Sequence, residues 1–364
     1  MESSIRRYDI DWLRVIAIGF LLIYHVAIPF QPWGVFFGFI KSPEDLDSIW
    51  IPMSMINIWR IPLLFFVSGM GLYFSMKKRN WKRLLSERAR RILLPFIVGI
   101  LTVVPMQVLI WQHYYNQDLK FDLNPAHLWF LGNIFSYVLI LIPVFYYLKK
   151  NEDKWRSIFN RIMDHPLKLT LLALPFMASA ALINPDSYPM YAMTMHGYVL
   201  GLLAFLFGFL FVFTGKVFWN TIKKWKWGFL SIALVMYIIR LVYWDMEGPN
   251  YLMALETIVW IYAILGISFS YLNFGNKYLS YLSEAAYPVY IIHWIFIQLG
   301  SILLFRFDIP VSLQFIGLTI FTFLGSIIAY HYLIRNLNIL RPLFGLKLKS
   351  KAQIQINPQA RISL

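Results

Sequence analysis

The sequence predicts an all-α fold: a polytopic, membrane-spanning helical bundle of about ten helices with both termini in the cytoplasm. Three observations carry that prediction. Of 364 residues, 59% are hydrophobic and 14% charged, with mean hydropathy +0.60, whereas a soluble domain holds about 25% charged residues. The apolar residues gather into ten stretches, near residues 9–30, 50–76, 92–112, 127–148, 168–184, 195–215, 227–244, 252–272, 286–305 and 313–334. Each has roughly the length needed to cross about 30 Å of hydrocarbon. Finally, the cations sort by side. With the stretches in place, 27 of the 33 Lys and Arg residues fall at the N-terminus, in the even-numbered loops and in the C-terminal tail. Only Lys41, Lys120 and Arg306 lie in odd-numbered loops. Under the positive-inside rule this bias places both termini in the cytoplasm of a plasma (inner) membrane. The net charge of +15 is therefore topological and favours anionic lipid contact over a nucleic-acid partner. Aromatic residues, at 18%, suit belts at the two interfaces. With no cysteine, disulfides and thiolate chemistry are excluded.

The first stretch reads Asp11-Trp12-Leu13-Arg14, then ten residues, then His25. At 100° per residue, eleven residues turn 20° past three full turns, so Arg14 and His25 share one helix face, roughly 16 Å apart along the axis. Asp11 lies one turn below Arg14 on nearly the same face. Ionisable groups inside a membrane are costly and usually functional. His25, about 24 Å from the start of its helix, is a candidate general base. Asp11 and Arg14 either neutralise one another or form a charged floor beneath a cavity that reaches His25. The helix follows Arg6-Arg7 but has no small-residue cleavage site, and its charges would spoil a signal-peptide core, so it is read as retained. The apolar run at residues 34–40 is too short to span and fits a re-entrant segment.

The second stretch carries Asn57, Arg60, Pro62 and Ser68. Asn57 and Ser68 are eleven apart and co-facial, and Arg60 lies one turn from Asn57. Such a polar stripe serves helix packing or substrate contact. Arg60, towards the outer leaflet, needs an anionic partner. Between the second and third stretches, residues 77–91 hold eight cations with Trp and Leu interleaved, the pattern of an interfacial helix. That density exceeds what topology requires, and Arg88, Arg90 and Arg91 suit a phosphate-bearing ligand. The fourth stretch opens on His127-Leu-Trp129, and Arg240 lies within the seventh. The ninth opens on Ser283-Glu284-Ala-Ala-Tyr287-Pro288 and continues to His293-Trp294. Glu284 and His293 are nine apart, half a turn out of phase unless the helix breaks at Pro288. Residues 1–346 form the membrane domain, and the basic run 347–364 reads as a loose cytoplasmic tail. No phosphate loop, dinucleotide fingerprint, His-x-x-x-His pair or nucleophile elbow is present, so no metal and no tightly bound cofactor are expected.

Taken together these segments resemble acyltransferase family 3, a group of integral membrane acyltransferases. The resemblance rests on Asp11, Leu13, Arg14 and His25 in the first helix and on Phe65-Phe66-Val67-Ser68-Gly69 in the second. It continues with Arg88-Ala89-Arg90-Arg91 before the third and Tyr287-Pro288-Val289-Tyr290-Ile291-Ile292-His293-Trp294 in the ninth. It covers residues 8 to 340. The His127-Leu-Trp129-Phe-Leu form looks more like the glucan succinyltransferase branch, and Gly132-Asn133 stand where many members carry acidic residues. The resemblance implies transfer of an acyl group from cytoplasmic acyl-CoA to a hydroxyl of an extracytoplasmic or lipid-linked carbohydrate. Arg88, Arg90 and Arg91 would hold the nucleotide phosphates, and His25, with Arg14 and Asp11, would carry the catalysis. Arg60, Ser68, His127, Trp129, Glu284, Tyr287 and His293 would contact substrate. Two other classes fit the same intramembrane charges: a transporter or flippase for an anionic or lipid-linked sugar, and a structural subunit of an envelope-synthesis complex.

Overall fold

In this computed structural model, residues 6–77 and 79–349 are described. Ten helices among them are long and apolar enough to cross a membrane. They are α1 (Tyr8–Phe30), α2 (Asp47–Lys77), α3 (Trp81–Tyr114), α4 (Ala126–Lys150), α5 (Pro166–Ile183), α6 (Met195–Phe213), α7 (Lys216–Trp244), α8 (Asn250–Tyr271), α9 (Lys277–Leu304) and α10 (Val311–Ile334). Every expected stretch is one of these helices. Three begin earlier than hydropathy alone indicates, because basic and polar turns remain helical outside the apolar run. α3 starts at Trp81 under the Asn80 cap, whose side chain accepts from the Arg83 N–H. It passes through a π-turn at Ala89–Leu93 into its apolar half. α7 starts at Lys216, where Phe218, Trp219 and Ile222 bury one face. α9 starts at Lys277 under the Asn276 cap and runs unbroken through Pro288. The tail expected from residue 347 is described only to Lys349, and the rest of it lies outside the described residues.

Burial sorts the helices into an inner and an outer set. The apolar window of α2 is 83% buried, against 22% for α5, α7 and α10. α2 therefore sits centrally, packed against α1, α6 and α8, while α1 also bridges to α9 and α10. Lipid tails are as apolar as leucine, so helix association in a membrane depends on close packing and polar pins. The α2–α6 contact is of the first kind. A Cβ at Gly69 would lie 2.0 Å from the Phe205 carbonyl oxygen, and one at Gly208 would lie 2.0 Å from that of Phe66. Two backbones meet there at a distance that only glycine allows. The second kind is the ion pair of Arg240 on α7 with Glu256 on α8, Nε to Oε2 2.8 Å, with both side chains almost fully buried. Arg240 also donates to the Ser54 carbonyl of α2 at 3.3 Å and to the Met246 carbonyl, so one side chain ties three elements. Outside, Ile232, Val235, Val242, Ile316, Ile320 and Leu324 are exposed, as a lipid-facing surface requires.

The run at residues 34–40 forms a 3-10 turn at Gly34–Phe37 and then docks on α9. Gln298 accepts from the Ile40 N–H at 3.2 Å and donates to the Gly38 carbonyl at 2.6 Å. This places Phe39, fully buried, against Trp294 at 4.2 Å between ring centres.

Candidate active site

Two features lie along the shared faces of α1 and α9. The first is a cavity of about 660 Å³ at the end of the bundle where the basic loops collect. α1 contributes Arg14 and Ile18, α2 contributes Leu64 to Ser75, the π-turn region contributes Arg88 and Arg91, and α4 contributes Phe130 to Val138. α9 contributes Ser283, Glu284, Tyr287 and Tyr290, and the chain after α10 contributes Arg341 and Gly345 to Leu348. Each polar group has a local reason for its position. Asp11 lies 3.6 Å from Arg14 and is also paired with Arg6 at 2.9 Å. Arg88 donates to the Ser75 hydroxyl at 2.6 Å. Glu87 neutralises Arg79 at 3.0 Å and Arg91 at 3.5 Å. Glu284 is held by Arg341 at 2.8 Å. Against that pairing, Arg88 Nε, Ser283 Oγ and Tyr287 Oη are buried with no hydrogen-bond partner among the described residues. Buried polar groups rarely stay unsatisfied, so a cavity lined by three of them suits a polar ligand.

The second feature is a cluster of three histidines on three helices. His25 Nδ1 lies 2.8 Å from His293 Nε2, and the rings stack at 5.1 Å. His293 Nδ1 lies 2.7 Å from the Tyr290 carbonyl oxygen. A carbonyl only accepts, so His293 donates through Nδ1. In neutral His293, Nε2 is then an acceptor, and His25 must donate to it through its own Nδ1. His25 Nε2 is left with a free lone pair, the state a proton acceptor requires. His127 packs edge-on to His293 at 5.1 Å and donates Nε2–H to the Ile291 carbonyl at 3.0 Å. Its own carbonyl accepts the Tyr290 hydroxyl. His127 and His293 are buried, whereas His25 is half-buried and so remains the reachable member. Phe39 and Trp294 close the aromatic wall, with Trp294 5.4 Å from His25.

The cavity and the cluster are separate. The lining ends at Ile18, Leu64, Phe130 and Tyr290, and His25 is not part of it. Seven residues of helix, about 10 Å, separate Ile18 from His25. Arg60 stands beside the cluster. It is buried, its guanidinium lies 3.6 Å from the centre of the Tyr24 ring, and Nη2 donates to Asn57 at 2.9 Å. Its Nε and Nη1 have no partner among the described residues.

The structure thus brings His25, His127 and His293 together at one level and Arg14, Ser68, Arg88, Arg91, Glu284 and Tyr287 together at the other. Glu284 and His293 do not meet, because α9 is continuous through Pro288. Asn57 and Ser68 also serve different levels, with Asn57 bonded to Tyr24 and Ser68 in the cavity. Arg90 is exposed and outside the cavity lining, turned away by the π-turn. Trp129 packs on Phe65 at 6.1 Å rather than on the histidines. Sequence reasoning missed Ser75, Arg341 and Phe39. Arg341 alone left a signal, as a single cation in the apolar run Ile339-Leu340-Arg341-Pro342-Leu343-Phe344.

A family model described as an acyltransferase domain matches residues 7–331 of the chain. No curated protein and no solved structure matches it.

Proposed function

This chain belongs to acyltransferase family 3, and on that premise we propose that it moves an acyl group from cytoplasmic acyl-CoA to a hydroxyl of an extracytoplasmic or lipid-linked glycan. The observation that carries the proposal is the vertical order along α1: a cation-lined cavity around Arg14 at the basic end and His25, with a free Nε2, above it. The basic end is the cytoplasmic end under the positive-inside rule. Arg88 and Arg91 are suited to the phosphates of the donor, Arg88 by its uncommitted Nε. Pockets for ligands of this general size run about 300–1,000 Å³, a range that includes this cavity. The extended arm of the donor would pass Arg14 and carry the thioester towards His25.

At the cluster, His25 Nε2 takes the proton of the acceptor hydroxyl as its oxygen attacks the thioester carbonyl. The tetrahedral intermediate collapses, the C–S bond breaks, and the proton on His25 passes to the departing thiolate. His293 holds His25 in the tautomer that makes this possible, accepting the Nδ1–H that becomes more acidic as the ring charges. A general base of this kind contributes about 10²–10⁴ in rate. Arg60, a buried cation beside the cluster, would receive an anionic part of the substrate or of the intermediate.

Mass spectrometry of envelope glycans, together with a thiol assay for released CoA, tests this reading. Wild type should acylate its glycan and release one CoA per transfer. His25→Ala, inserted and folded, should do neither. Full activity of that variant would sink His25 as base, and glycan export without thiol release would point to a transporter instead.

A further inference from the structure

The segment Leu340–Leu348 follows the part of the chain shared with the family, yet it builds a wall of the cavity. It opens with a short helix, Leu340–Leu343, and turns at Gly345. Gly345 has φ +74°, and a Cβ there would lie 2.5 Å from Tyr287 Cε1 and 2.9 Å from the Arg91 carbonyl oxygen. The turn therefore presses on two cavity residues at a place where only glycine fits. One buried side chain fastens the whole segment. Arg341 donates through Nη2 to Glu284 at 2.8 Å, through Nη1 to the Arg335 carbonyl at 2.8 Å and through Nε to the Lys347 carbonyl at 2.6 Å. Each of the three nitrogens holds a partner, so Arg341 acts as a pin. Lys349, just beyond, is tied by its N–H to Asn338 at 3.2 Å. Lys347, between the two ties, is exposed and belongs to the cavity lining. The charge of the lining is lopsided: Arg14, Arg88, Arg91, Arg341 and Lys347 face a single carboxylate, Glu284, which Arg341 already holds.

We propose that Leu340–Leu348 is a fixed strap forming one side of the donor cavity, that Lys347 binds the phosphate groups of the donor, and that Arg341 is the positioning residue that sets Lys347 at the rim. The proposal rests on the acyl-CoA reading above and adds to it a phosphate contact outside the family segment. An exposed lysine at the rim contributes modestly, about fivefold in affinity, and reversing its charge roughly squares that effect.

The test is CoA binding to the full chain in lipid nanodiscs, with donor KM and kcat measured on the same preparations. K347R should bind CoA as wild type does. K347A should bind about fivefold more weakly, and K347E about twentyfold, each raising KM for the donor and leaving kcat in place. R341K keeps the charge but loses the three-way fork, and should reproduce K347A in KM. CoA affinity unchanged in both K347A and K347E would overturn the strap, as would loss of binding in K347R equal to that in K347A. If wild type itself binds no CoA, the donor assignment falls, and the phosphate contact with it.

Discussion

His25 has two ring nitrogens with different duties, and the difference is imposed from a distance. The Tyr290 carbonyl fixes His293, and His293 fixes His25. Removing the middle member should therefore impair chemistry without disturbing donor binding. His293→Leu is expected to lower kcat at least about tenfold, with donor KM unchanged, while His293→Gln, which can still accept, should lose less. Steady-state rates on folded, inserted protein decide between them. Arg60 poses the opposite case. A buried cation with two uncommitted nitrogens is a cost to the fold. Arg60→Met should leave the melting temperature unchanged or raise it, while activity falls about tenfold or more. A melting temperature lowered by several degrees would instead make Arg60 a structural residue. The co-facial placement of Arg14 and His25 was legible from helical periodicity alone. The contact of His25 with His293 was not, because those residues are 268 apart and meet only through the packing of α1 on α9.

Among the elements, α7 is weakly enclosed and is held mainly by α8, through close packing together with the buried Arg240–Glu256 pair. Replacing one partner strands the other charge in a buried site. Glu256→Ala should cost about 3–5 kcal/mol, read as a lowered thermal midpoint in detergent, while a double Arg240→Met, Glu256→Leu variant should recover much of it. The α2–α6 contact is less forgiving. At Gly69 even a methyl group meets backbone, so Gly69→Ala should force the helices apart and cost about 1–3 kcal/mol by the same readout. Helix existence was legible because crossing hydrocarbon demands length and apolarity together. The helix at Trp81 was legible as an interfacial one, whereas the starts at Lys216 and Lys277 were not, since those first turns are helical for reasons of one-sided burial and capping, which hydropathy does not register. Arg341 left a signal, but one that its neighbours mask. A lone arginine in a basic terminal segment reads as solvated until Glu284 is found opposite it.

Over the whole molecule, the distribution of Lys and Arg predicts an orientation that can be checked directly, because the natural chain contains no cysteine. Single cysteines at Asp122, in the loop between α3 and α4, and at Asp153, in the short helix Glu152–Met163, lie on opposite sides by the helix order. An impermeant maleimide added to intact cells should label Asp122→Cys and spare Asp153→Cys. The reverse pattern would invert the protein, and with it the donor side. The hollow at the basic end stops at Phe130 and Tyr290, and on α1 the buried Leu21 and Leu22 fill the turn between Ile18 and His25. An unbroken shaft wide enough for a coenzyme arm would also conduct water and ions. That short apolar septum keeps the membrane's electrical insulation at rest, and the arm of the proposed donor would reach His25 only as those leucine side chains give way.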